Sequence, residues 1–120
     1  VWGALRGGVL VSVPRMGVGV RSATNLALVL HELATNSLKY GALSSETGTL
    51  DVSCSDKDDD VVMTWTERGG PTVVAPEGSG YGSKLVSRVM AADLSGTVVR
   101  DWSPDGAIIT LQMRKSRLAS

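Results

Sequence analysis

The sequence predicts an α/β two-layer sandwich, a mixed and largely antiparallel sheet carrying helices on one face. Three observations predict it. Alternating apolar and polar runs come in pairs joined by short turns, Thr49–Lys57 with Val61–Glu67 and Ser95–Trp102 with Ala107–Met113, and read as hairpins. Two segments repeat their apolar residues every three or four positions and read as helices, about Ser22–Tyr40 and about Ser83–Asp93. The length, 120 residues, suffices for one hydrophobic core and is too short for two.

Taken in order, the chain opens with two short strand-like pieces, Val1–Arg6 and Val9–Val13, broken by Gly7-Gly8 and ended by Pro14. It starts without an initiator Met, as a piece of a longer protein would. Arg15–Arg21 is rich in Gly and Val and favours no element. Ser22 or Thr24 is placed to cap the first helix, and Gly41 to end it. Ala42–Gly48 is a polar loop. In the strand that follows, Leu50, Val52 and Cys54 share a face, and Asp58-Asp59-Asp60 reads as a solvated hairpin tip rather than a metal site. Arg68-Gly69-Gly70-Pro71 breaks the sheet, and Thr72–Ser79 is a flexible stretch. The second helix turns Leu85, Val86, Val89 and Met90 inward. The last hairpin crosses Ser103-Pro104-Asp105-Gly106, and residues 113–120 are expected to fray. The order is therefore β-β-α-β-β-α-β-β in one domain spanning residues 1–120.

Composition removes several function classes. Apolar residues make up 42% and charged residues 20%, the balance of a soluble globule. Twelve Lys and Arg offset twelve Asp and Glu, so no global field favours nucleic acid or an anionic membrane. Any bound anion must be held by local geometry. A single cysteine, Cys54, excludes an internal disulfide and a cysteine zinc site. A single histidine, His31, excludes chemistry that needs two. No apolar run is long enough to span a bilayer and no signal peptide is visible, so a cytoplasmic domain without direct membrane contact is expected.

The chemistry concentrates on the first helix. A helix advances about 100° per residue, so Glu32, Asn36 and Lys39 form one stripe, roughly opposite Leu26, Leu30 and Leu33. An acid, an amide and an amine in line suit a metal ion and phosphate, oxygen coming from Glu and Asn and charge from Lys. Surface helices also carry such stripes as plain solvated decoration. Against that reading, Asn is a poor interior helix residue, and His31 and Tyr40 flank the stripe. Two glycine clusters add to it. Gly69-Gly70 ends a strand, and Gly78-Ser79-Gly80-Tyr81-Gly82 opens a helix, whose unpaired N–H groups and dipole attract phosphate. The second cluster is neither a Walker loop nor a dinucleotide fingerprint, and alone it is equally a flexible turn. Glu67, at a strand end, is either an edge carboxylate or an acceptor for an adenine amino group.

These residues also carry a family resemblance. The run His31-Glu32-Leu33-Ala34-Thr35-Asn36-Ser37-Leu38-Lys39-Tyr40-Gly41-Ala42-Leu43-Ser44 resembles the N box of the HWE sensor histidine kinases. That family is named for a His in this box and a Trp-x-Glu further on, here His31 and Trp65-Thr66-Glu67. Glu67-Arg68-Gly69-Gly70-Pro71 resembles its first glycine box, and Gly80-Tyr81-Gly82-Ser83-Lys84-Leu85-Val86 its second. Leu94-Ser95-Gly96 and the last hairpin resemble its ending. The resemblance runs from about Leu5 to Met113.

The resemblance implies the ATP-binding catalytic domain of a two-component kinase, with the GHKL fold shared by gyrase and MutL ATPases. It implies Asn36 as ligand to Mg²⁺, Lys39 on phosphate, and Glu67 in place of the Asp that reads adenine. Tyr40, Gly69, Gly70, Gly80, Tyr81, Gly82, Ser83 and Leu85 complete the implied nucleotide site, and Thr72–Ser79 stands as a short ATP lid. The catalytic candidates are Glu32, His31 and Lys39. Glu32 holds the position of the carboxylate that orients water in the related ATPases. His31 lies inside the nucleotide-binding helix and is given a structural rather than an acceptor role. The implied reaction moves the γ-phosphoryl group of ATP to a histidine on a separate dimerisation domain, absent from this chain, with a response regulator downstream. The competing expectation is a docking module of a phosphotransfer adaptor that keeps the fold without using ATP.

Overall fold

The computed structural model describes residues 9–12, 17–70 and 81–119. The expected first strand piece, Val13, the lid segment Thr72–Ser79 and Gly80 lie outside them. The described elements are β1 (Val9–Ser12), α1 (Val20–Tyr40), a 3₁₀ turn (Ala42–Ser44), β2 (Thr49–Lys57), β3 (Asp60–Arg68), α2 (Tyr81–Asp93), β4 (Thr97–Ser103), β5 (Gly106–Arg114) and α3 (Lys115–Leu118). The five strands form one sheet in the order β1-β2-β3-β5-β4. β1 runs parallel to β2, and every other pairing is antiparallel. This is the expected mixed sheet.

Period-two alternation decides which side of the sheet is buried. Across the register, Val52 pairs with Trp65 and Trp65 with Ile109, while Cys54 pairs with Met63 and Met63 with Leu111. These rows meet Val29 and Leu33 of α1 and Val86, Val89 and Met90 of α2 in one core. The opposite side carries Ser53, Thr64 and Thr110, one row of small polar residues. Both long helices therefore cover one face. Each fully buried side chain, such as Met90, Leu94 or Leu111, contributes about 1.5–3 kcal/mol. The β2–β3 turn closes at Asp58, whose φ of 55° suits an aspartate better than a branched residue.

Two details of α1 depart from expectation. The helix starts at Val20 with Gly19 as its cap residue and no side-chain cap. Ser22 is instead buried inside the first turn, its hydroxyl donating to the Arg117 carbonyl, and Thr24 donates to the Val20 carbonyl at 3.2 Å. The helix ends as expected, with the Gly41 N–H donating to the Ser37 carbonyl at 3.0 Å.

Through residue 119 the tail is structured rather than frayed. β5 continues to Arg114, and α3 follows directly. The Lys115 N–H donates to the Asp59 carbonyl at 2.9 Å, and the Gly19 N–H donates to the Leu118 carbonyl at 2.7 Å. The Lys115 ammonium meets Asp56, and the Arg117 Nε donates to Ser95 Oγ at 3.1 Å. Leu118 joins the core at 2% exposure. The tail thus supplies the partners that the uncapped start of α1 lacks. α2 also begins two residues before its expected start.

Candidate functional site

The site grows from the end of β3. Residues two apart on a strand point the same way, so Trp65 and Glu67 both face the helices. Glu67 is a carboxylate held at 7% exposure. Its Oε1 accepts from the Ser37 hydroxyl and from the Ala42 N–H, each at 2.9 Å. Its Oε2 accepts from the Trp65 indole N–H at 2.8 Å. Hydrogen bonds to an ionisable group are short and strong, and a carboxylate buried without donors would be costly. Glu67 is therefore tied to the end of α1, to the 3₁₀ turn and to its own strand.

The glycines around this junction are matters of space. A Cβ on Gly41 would lie 2.1 Å from Glu67 Oε1, and a Cβ on Gly70 would lie 2.6 Å from the Ala42 Cα. Ala42 is buried between them. The N-box end and the first glycine box, distant in sequence, thus form one packed corner.

The chemical stripe runs along α1 toward that corner. Asn36, Lys39 and Tyr40 are exposed, and Glu32 is half-buried. Gly69 follows β3 with φ +74°, and Gly70 packs against Gly41 and Ala42. Asn36, Lys39, Tyr40, Glu67, Gly69 and Gly70 are accordingly gathered at one end of the domain. α2 packs against α1. Tyr81, Gly82 and Ser83 form the first turn of α2, but their side chains and Gly80 lie outside the described residues. Leu85 packs against the core. His31, given a structural job by the sequence, is exposed on α1. Among the described residues, no three His, Cys, Asp or Glu side chains are grouped to hold a metal ion.

Two residues essential to this geometry are given no role by the sequence, Ser37, which only forms part of the N-box run, and Trp65, which enters only as the first residue of the Trp-x-Glu motif. The signal was present. Ser22, Leu26, Val29, Leu33 and Ser37 follow one helical stripe, so a serine stands at each end of the buried face. Both serines donate to partners outside the helix. Trp65 and Glu67 likewise share the parity of Val61 and Met63, which places them inside. Away from the junction, burial, and secondarily Asp56, pushes the Cys54 thiol above its ordinary range, and burial pulls the Arg100 guanidinium down.

Comparison with known proteins bears on this fold and site. No family model matches the chain. Over 112 residues it is 44% identical to blue-light-activated histidine kinase 1 of Erythrobacter litoralis, covering 89% of this chain and 31% of that protein. It is 39% identical to a blue-light-activated histidine kinase of Brucella anthropi, over 82% of this chain and 21% of that one. The chain thus spans a third or less of these curated relatives. Among solved structures, the histidine kinase domain of the Erythrobacter litoralis blue-light-activated kinase superposes with a TM-score of 0.75 at 20% identity, covering 92% of this chain and 58% of that one. The catalytic domain of histidine kinase ThkA, nucleotide-free, gives 0.69 at 14% identity, over 89% and 78%. At such identities the superpositions establish the fold alone. Fold and sequence kinship together define a domain of the histidine-kinase catalytic class. The Trp65-Thr66-Glu67 junction and the His31 box narrow it further. The chain belongs to the histidine kinases of the HWE type.

Proposed function

We propose that this chain binds Mg-ATP and donates the γ-phosphoryl group to a histidine on a separate dimerisation domain, in two-component signalling. One observation carries the reading. The helix bearing Glu32, Asn36 and Lys39 is bound at its end to the strand that delivers Glu67, Gly69 and Gly70. A phosphate-seeking stripe and a base-seeking carboxylate so share one corner.

The donor set fits the ion and the nucleotide. Asn36 would give its amide oxygen to Mg²⁺, and the Lys39 ammonium its charge to the phosphates. Glu67 would accept from the adenine amino group, while Gly69 and Gly70, packed closely on Thr47 and Ala42, would frame the pocket beside it. Bound Mg²⁺ neutralises phosphate charge, and transfer then depends mainly on positioning. Glu32 faces the same stripe and would orient the incoming imidazole. His31 is not the acceptor in this reading. The Tyr40 ring and the second glycine cluster, Gly80, Tyr81, Gly82 and Ser83 with Leu85, would complete the phosphate side. ATP use fits a cytoplasmic setting, and no helix among the described residues is long and apolar enough to cross a membrane.

Titrating Mg-ATP into the wild type and Asn36→Ala tests the reading. The substitution should weaken binding at least about tenfold, or about 1.4 kcal/mol. Equal affinities would refute the metal role, and a wild type with no affinity would favour the docking-module alternative. Supplying a dimerisation domain in trans, with labelled ATP, should give label on its acceptor histidine. A response regulator added afterwards should then remove it.

A further inference from the structure

We infer that Trp65 and Ser37 are positioning residues that, through Glu67, set the preference for adenine over guanine; the inference rests on the ATP-binding reading. A carboxylate offers about four acceptor positions. Three are occupied here, two on Oε1 by Ser37 and Ala42 and one on Oε2 by Trp65. Among the described residues, one acceptor position is left without a donor, on Oε2.

That remainder matters because of what it can meet. Adenine presents an amino donor where guanine presents a carbonyl oxygen. An acceptor that cannot turn away attracts the first and repels the second, and a site built around a required hydrogen bond rejects the analogue lacking it. Glutamate by itself is poorly suited to this task. It has one more rotatable bond than aspartate, and a free carboxylate swings to suit either base. Donors at 2.8–2.9 Å from three directions remove that freedom.

The arrangement is also hard to replace. Ser37 is wholly buried, and its oxygen accepts in turn from the Leu43 N–H at 3.3 Å. Gly41, which has no Cβ, makes the space that Oε1 fills, since a Cβ there would lie 2.1 Å from it. Among the described residues Trp65 is the one donor on Oε2, and it comes from the same strand as Glu67, so its reach is set by the sheet pleat. Trp65→Phe keeps an aromatic ring in the core and removes the N–H together with part of the indole's volume, a packing loss that weakens both nucleotides alike and cancels in their ratio.

The experiment measures Kd for Mg-ATP and Mg-GTP by calorimetry on the wild type, Trp65→Phe and Ser37→Ala. Wild type should prefer ATP, and each variant should lower the GTP-to-ATP ratio of Kd values about tenfold, through looser placement of Glu67. A merely structural role would weaken both nucleotides by the same factor and leave the ratio unchanged, which overturns the inference. A melting curve accompanies each protein; if Trp65→Phe fails to fold, Ser37→Ala decides by the same ratio. Wild type that binds neither nucleotide overturns the inference together with the ATP reading. Wild type that prefers ATP, with variants of unchanged ratio, overturns the inference and leaves that reading standing.

Discussion

Replacing Leu118 with alanine tests whether the tail is an integral part of the domain. Leu118 lies on a single helical turn at the end of the described chain, yet it is almost fully buried in the core. Its backbone carbonyl receives the Gly19 N–H, and the neighbouring Arg117 carbonyl receives the Ser22 hydroxyl. Truncating a buried leucine costs about 2–5 kcal/mol, and a site at the core's rim can close in, which favours the lower part, about 2–3 kcal/mol. For a domain of this size, about 4 °C is lost per kcal/mol, so melting should fall by about 8–12 °C. Far-ultraviolet circular dichroism on heating reads the shift directly. Leu38→Ala serves as control, because Leu38 is 61% exposed, and it should move the midpoint by no more than about 2 °C. If Leu118→Ala behaves like this control, the tail is solvated in solution and the clamp on α1 does not exist.

Two further outcomes concern the Glu67 corner and β2. Gly41→Ala should destabilise by about 2–4 kcal/mol, since its Cβ would overlap Glu67 Oε1 while its φ of −107° is open to any residue. The loss should shrink in a Glu67→Ala background, as a double-mutant cycle by urea denaturation measures; a strictly additive cycle would show that the overlap is not the cause. Cys54 should alkylate more slowly in the folded protein than in urea at pH 8, because burial first and Asp56 second raise its pKa above the ordinary 9.0. The sign follows from that direction. A folded-state pKa above the unfolded one stabilises below pH 9.0 and loses this contribution as pH rises through the folded value, so equal alkylation rates would contradict the burial.

What the sequence makes legible is set by how local each signal is. β2 was read at its observed bounds, and β3 to within a residue at each end, because alternation and an Asp-rich turn act over a few neighbouring positions. The tail gave no such signal. One leucine in a four-residue helix is too little to mark an element, and the partners that order it, Gly19 and Ser22, lie near the other end of the chain. The same distance explains the misplaced cap. A serine near a helix start is a good local cap, yet the chain satisfies Gly19 with Leu118 and leaves Ser22 for Arg117. At the candidate site, the spacing of Glu32, Asn36 and Lys39 was legible because helical periodicity is local, whereas the surroundings of Glu67 were not. Glu67 continues the inward series Val61, Met63 and Trp65, and a carboxylate on that side requires donors from elsewhere in the chain. Ser22 and Ser37 make the same point on the helix. Each interrupts an apolar stripe, and propensity alone scores each as a weakness. A polar side chain on a face that must be buried is instead an indication of a distant partner, because without one the burial would cost about 1–3 kcal/mol. Read that way, the two serines locate two places where side-chain hydrogen bonds fasten α1 to the rest of the fold, the tail at one end and the carboxylate of β3 at the other.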